Sequence, residues 1–162
     1  MGSTMTSTDV TPTSVFFQVF CYVTEDEEKV LTALRNILPE EIKDLPVEKI
    51  KSEGYYHDPI ILIRLEVKKR KLIEAFLRFL AENFSERTKK YIARNIRKLI
   101  DDKGNLYLRL SKQDAYKGNL KIESRDIIWI KVHFRAYKDR QKSIIEYLKK
   151  LGLMPNEDIH TD

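Results

Sequence analysis

Hydrophobic positions change rhythm along this chain, and each change marks an element. Val15, Phe17, Val19, Cys21 and Val23 alternate with Phe16, Gln18, Phe20, Tyr22 and Thr24, which predicts a first strand over 15–24. Thr24 then precedes Glu25, Asp26, Glu27 and Glu28. That is a hydroxyl N-cap with a glutamate three residues on and acids set against the helix dipole. A helical stripe of Val30, Leu31, Leu34, Ile37 and Leu38 follows, and Pro39 closes it. Capping accounts for this acidic cluster better than a metal does.

Residues 40–46 read as a loop, 47–56 as a more polar strand, 54–59 as a hairpin turn and 60–67 as the most apolar strand. The basic run Lys68-Lys69-Arg70-Lys71 opens a helix whose core face is Leu72, Ile73, Phe76, Leu77 and Leu80. Asn83 or Ser85 breaks it. A second helix over 86–99 turns Tyr91, Ile92, Ile96 and Leu99 inward. The turn Asp101-Asp102-Lys103-Gly104 leads into a clean alternation, with Leu106, Leu108 and Leu110 on one side and Tyr107, Arg109 and Ser111 on the other. A short strand over 120–123 and a turn over 124–126 precede the last strand, 127–136. There Ile128, Ile130, Val132 and Phe134 oppose Trp129, Lys131, His133 and Arg135. Asp139 caps a final helix carrying Ile144, Ile145, Leu148 and Leu151, which Gly152 ends.

The order β-α-β-β-α-α-β-β-β-α predicts an α+β fold of two layers, a largely antiparallel sheet of about five to six strands packed with about four helices. Residues 14–152 form the single domain. A Thr/Ser-rich tail (1–13) and an acidic tail (153–162) are expected to be flexible.

With 162 residues, 42% of them hydrophobic, the chain is long enough to bury a core without staples. No apolar run approaches the roughly 20 residues that span a bilayer, and no apolar segment precedes Val15 as a secretory signal would. The single cysteine, Cys21, excludes an intramolecular disulfide and falls on a core position. These features point to a cytoplasmic protein without a membrane partner. Abundant Lys, Arg and Glu, with few Gln, also resemble a thermophile's surface.

Charge sharpens the picture. The formal net charge is +5, but residues 1–86 carry 11 Lys/Arg against 15 Asp/Glu, whereas residues 87–150 carry 19 against 7. So local an excess is the footprint of a polyanion binder. Arg87, Lys90, Arg94, Arg97 and Lys98 recur at helical spacing opposite Ile92 and Ile96, a stripe able to follow a phosphate backbone. The other candidate is the 104–118 stretch, where Tyr107 and Arg109 lead into Lys112, Gln113, Tyr116 and Lys117. Aromatics interleaved with cations and amides stack bases and hold phosphates.

If the aliphatic sides of the strands pack on helices, the opposite side presents Phe16, Phe20, Tyr22, Tyr107, Arg109, Trp129, Lys131, His133 and Arg135. Aromatics on such a face call for a partner. RNA, a second copy joined sheet to sheet, and a covering helix are the three candidates.

Motifs for catalysis are lacking. His57, His133 and His160 stand apart from one another and from the cysteine, and no glycine-rich phosphate loop or nucleophile elbow is present. His57 beside Asp58 is the best acid–base candidate, though a plain turn explains it better. Asp101-Asp102 would suit a magnesium nuclease, though Asp/Gly turns are common. The expectation is no enzyme, no cofactor, no metal and no small-molecule substrate.

Glu53-Gly54-Tyr55-Tyr56-His57-Asp58-Pro59-Ile60, followed by Gly104-Asn105-Leu106-Tyr107-Leu108-Arg109-Leu110 with Lys112-Gln113 and Ala115-Tyr116, resembles an archaeal family of small predicted RNA-binding proteins. Its members are described as predicted exosome subunits. Their core is similar to the large-subunit ribosomal protein that binds 5S rRNA. The resemblance spans residues 14–151 and departs from the family pattern at His57-Asp58 and at Asp114. It implies RNA binding, with RNA processing or ribosome-linked work as the setting, and supplies no catalytic residues. The expected contacts are Arg109, Lys112, Gln113, Tyr116 and Lys117 as an edge, Tyr107 and Trp129 as stacking platforms, Arg94, Arg97 and Lys98 on phosphates, with Lys131 and Arg135 beside them. The competing expectation is a protein-interaction module, a homodimer or a member of an RNA-processing complex, joined through the aromatic face.

Overall fold

The parity of the strands decides the architecture. In the computed structural model, which describes residues 10–53 and 58–155, Val15, Phe17, Val19 and Cys21 of β1 (Thr11–Cys21) are buried while Phe16, Gln18 and Phe20 stay partly or largely open. The elements after β1 are α1 (Glu27–Asn36), α2 (Glu40–Lys43), β2 (Glu48–Glu53), β3 (Pro59–Val67), α3 (Arg70–Asn83) and α4 (Glu86–Leu99). They are followed by β4 (Asn105–Ser111), α5 (Lys112–Tyr116), β5 (Ile127–Arg135) and α6 (Arg140–Leu151). The five strands form one antiparallel sheet in the order β2-β3-β1-β5-β4.

Register carries the parity across the sheet. Phe17 lies opposite Leu65 on β3 and Ile130 on β5, and Ile130 opposite Leu108 on β4, so one row of aliphatic side chains runs into the core. A slip of one residue in any pair would turn that row to solvent. Helices supply the second layer: Phe76 of α3 meets Phe17 edge to face at 4.9 Å, and Tyr147 of α6 meets Phe134 at 5.7 Å. Leu34, Ile92, Ile96, Ala115, Ile144 and Leu148 complete the same core.

The α+β expectation of two layers and an antiparallel sheet is met, with instructive differences. The segment expected to be a loop at 40–46 contains the short helix α2, which buries Ile42. The segment 120–123 makes only an isolated bridge, Leu110 to Ile122, where a strand was expected. The first strand starts at Thr11, and Val10, Leu153 and Met154 are buried, so the packed unit reaches past both expected limits of 14 and 152. Asp26 caps α1 by accepting from the Glu28 N–H at 3.0 Å, displacing Thr24 from the role predicted for it. Most of the 54–59 turn, with His57, lies outside the described residues, as do residues 1–9 and 156–162.

Candidate nucleic-acid interface

The face opposite the helices is lined with aromatics that pack on one another. Trp129 stands 5.8 Å from Tyr107 and 6.0 Å from Phe16, and the Arg64 guanidinium lies 5.2 Å from the Phe16 ring. None of these rings belongs to the core that the helices cover. They are half-buried through mutual contact across β4, β5, β1 and β3, because the register sets Arg109 beside Trp129 and both Tyr107 and Phe16 beside Lys131. Toward the far end Phe20 and Tyr22 stack at 6.2 Å and remain 39% and 44% exposed.

Four hydrogen bonds lock Tyr107 and the start of β4. Asp101 accepts from the Lys103 and Asn105 N–H groups at 2.9 Å each, from Asn105 Nδ2 at 3.0 Å and from the Tyr107 hydroxyl at 3.0 Å. Burial alone would push the Asp101 carboxyl up, but these donors outweigh it and hold it at about 2. Since Asn105 Nδ2 donates to Asp101, its Oδ1 accepts from the His133 Nδ1–H at 2.7 Å. Burial, aided by Lys131, lowers the His133 pKa and favours the neutral imidazole. Asp101 is therefore a staple of the turn, with both oxygens occupied, and a poor magnesium ligand. Among the described residues no three His, Cys, Asp or Glu side chains gather as a metal site. Gly104, at φ +91°, completes the turn, and a Cβ there would sit 2.6 Å from the Phe134 carbonyl oxygen.

The cations divide into two sets. On α4, Arg87, Lys90, Arg94, Arg97 and Lys98 are all exposed and, among the described residues, none sits in an ion pair. Arg109 and Arg135 are likewise exposed and unpaired, and Lys131 is half-buried between Tyr107 and Phe16. Lys112 is different. It is 3% exposed, and its ammonium donates to the Phe20 carbonyl and Glu25 Oε1 at 2.8 Å each and pairs with Asp126 at 3.0 Å. Burial works against its charge, yet the two carboxylates more than restore it and raise its pKa.

Lys112 is thus withdrawn from the contact edge expected of it, because it ties the end of β1 to the entry of β5. Gln113 is engaged too, donating to Asp126 at 3.0 Å. Tyr116 and Lys117 remain exposed, on a helix bound to α1 by Asn36, whose amide donates to the Ala115 and Tyr116 carbonyls at 3.0 and 3.2 Å. The structure brings together Tyr107, Arg109, Trp129 and Lys131, and leaves Tyr116 and Lys117 in a separate place. The short helix α5 was missed, although Ser111 and Asp114 spell a cap: the Ser111 hydroxyl accepts from the Asp114 N–H at 3.0 Å.

Between α4 and the β4 edge lies a cleft of about 640 Å3, lined by Arg87, Thr88, Tyr91, Tyr107, Arg109 and Lys121 among others. Tyr91 was expected inward but is 41% exposed and faces this cleft. The spacing 87, 91, 94, 98 places it among the cations of α4, one position off the buried line Thr88, Ile92, Ile96.

The chain is 33% identical over 140 residues to RNA-binding protein PAB1135 of Pyrococcus abyssi, covering 85% of this chain and 91% of that protein. An uncharacterized protein of Methanocaldococcus jannaschii, MJ0213, is 26% identical over 80% of this chain and 89% of its own length. Mth689, a DUF54 protein from Methanothermobacter thermautotrophicus, superposes with a TM-score of 0.73 at 29% identity, covering 88% of this chain and 98% of that one. A family model described as RNA binding matches residues 14–134, and this chain belongs to that RNA-binding family.

Proposed function

We propose that this protein is a non-catalytic, cytoplasmic RNA-binding protein that grips single-stranded RNA with α4 and the β4–β5 end of its sheet. One observation carries the reading: Arg87 and Tyr91 of α4, the helix that bears the unpaired cations, share one cleft with Arg109 and with Tyr107 of the aromatic cluster, so phosphate and base contacts are available side by side. Arg94, Arg97 and Lys98 take phosphates, and Tyr107 and Trp129 offer ring edges and faces to bases. Lys131 and Arg135 extend the positive field along β5. Processing of RNA, as an exosome-associated accessory, or work alongside the ribosome would employ such a grip, and a core similar to the 5S rRNA-binding ribosomal protein would suit either. The similarity to an RNA-binding protein of Pyrococcus abyssi supports the choice of ligand.

Fluorescence anisotropy with labelled single-stranded RNA over a salt series tests it. About five neutralised phosphates give a log–log slope near −3.5. An affinity indifferent to salt overturns the proposal.

A second reading rests on Phe20 and Tyr22, whose exposure at the far end of the sheet suits a face-to-face homodimer or a docked protein of an RNA-processing complex. On that reading Phe20→Ala with Trp129→Ala changes the mass measured by light scattering. An unchanged mass removes it.

A further inference from the structure

Three side chains in a row fix which nitrogen of one histidine carries its proton. Asp101 is ionised and can only accept, so the Asn105 amide turns its Nδ2 toward it, 3.0 Å away. That orientation sends the Asn105 Oδ1 to His133 Nδ1 at 2.7 Å, and an oxygen there requires Nδ1 to hold the hydrogen. Asn105 is buried, and its backbone N–H also donates to Asp101, at 2.9 Å, so the relay is held from behind.

The consequence lies on the other side of the ring. In a neutral imidazole protonated at Nδ1, Nε2 keeps its lone pair. Among the described residues nothing bonds Nε2, and the buried polar side-chain atoms left without a partner are Arg35 Nε and Arg64 Nε, so Nε2 is open to solvent. Burial, with Lys131 and Arg140 nearby, keeps the ring neutral against the opposing pull of Asp101.

His133 shares the open face of β5 with Trp129, Lys131 and Arg135, and the register sets it between Asn105 on β4 and Ser14 on β1. Indole, ammonium and guanidinium groups only donate. An uncharged acceptor thus stands two residues from a cation on either side. Phosphates, which only accept, have no use for it. Between successive phosphates of a nucleic acid lies the sugar, and the donor a sugar offers there is the 2′-hydroxyl, which DNA lacks.

We propose that His133 reads the sugar: with Lys131 and Arg135 on flanking phosphates, its Nε2 accepts a hydrogen bond from a ribose 2′-hydroxyl and so separates RNA from DNA. The proposal rests on the RNA-binding reading and adds to it the choice between the two nucleic acids. Asp101 and Asn105 are positioning residues that set the tautomer without touching the strand.

The test uses the full chain and three single-stranded octamers of one base sequence: RNA, its 2′-deoxy counterpart, and 2′-O-methyl RNA, which keeps the oxygen but cannot donate. Wild type binds RNA about fivefold more tightly than either of the others, the worth of one hydrogen bond. His133→Ala binds all three alike, at the affinity wild type shows for the deoxy strand. A second measurement needs no variant. In 15N-labelled wild type the His133 ring carries its hydrogen on Nδ1, and only the RNA strand shifts the Nε2 resonance. As pH falls through the His133 pKa, which lies below the ordinary 6.5, Nε2 gains a proton and the preference for RNA disappears without a loss of overall affinity. Equal affinity of wild type for the three strands, a preference that survives in His133→Ala, or a hydrogen on Nε2 of the neutral ring overturns the assignment, while the RNA-binding reading stands on its salt dependence. Failure of all three strands to bind at low salt overturns both together.

Discussion

Two stretches of this chain look alike on paper and behave as opposites in the fold. Both α4 and the 112–117 segment mix Lys or Arg with Tyr at short spacing. On α4 the buried side chains Thr88, Ile92 and Ile96 form one narrow line, so the cations have nowhere to go but outward. On α5 the helix is five residues long and its first residue, Lys112, is buried. Its charge is consumed by Glu25 and Asp126. A cation contributes to a binding surface only if its own protein leaves it unsatisfied. One lysine inside the fold shows how far composition can mislead.

The contrast can be broken most forcefully at Lys112. Lys112→Ala leaves Glu25 and Asp126 without their cation and should cost about 3 kcal/mol of stability, read from urea denaturation. RNA affinity of the folded fraction should not change. A loss of RNA binding with stability intact would return Lys112 to the contact surface. On the other side, combining Arg94→Ala, Arg97→Ala and Lys98→Ala should leave the urea midpoint nearly where it was. It should flatten the log–log salt slope by about 2, with a loss of affinity of tenfold or more at low salt. An unchanged slope would assign the phosphates elsewhere.

Asp101 gives a smaller effect with a defined sign. Its pKa falls from 3.8 when exposed to about 2 in the fold, so the folded state binds fewer protons between those values. The stabilisation is complete above about pH 4 and disappears as pH drops through about 2. It should be on the order of 1 kcal/mol and absent in Asp101→Asn, measured by thermal unfolding across pH 2–5. Lys117→Ala sets the floor. It is exposed and apart from the cleft, and should change RNA affinity by no more than about twofold and stability by less than about 0.5 kcal/mol.

The strands that carry the core, β1, β4 and β5, were legible because their parity is strict. Leu106, Leu108 and Leu110 alternate without exception, and the bounds expected for α4 coincide with those observed. What stayed hidden depends on partners far apart in the chain. Lys112 meets a carboxylate 87 residues away, and nothing local announces it. Tyr91 was assigned inward because it adjoins Ile92, although a rotation of 100° per residue carries it to the cation side. The aromatic face was foreseen. Its tight mutual packing was not, since only the register sets Trp129 between Tyr107 and Phe16.

The bridges at Ile100 and Ile122 have one more consequence. Every open sheet offers two margins on which a stray chain can add itself, strand by strand, into an aggregate. Here β4 is roofed at both ends by its own flanking segments, and β2 at the opposite margin is short, exposed and charged with Glu48, Lys49, Lys51 and Glu53. Both routes of sideways growth are closed by different means. The protein can stay dispersed when crowded or heated, and any association between copies is left to the flat of the sheet.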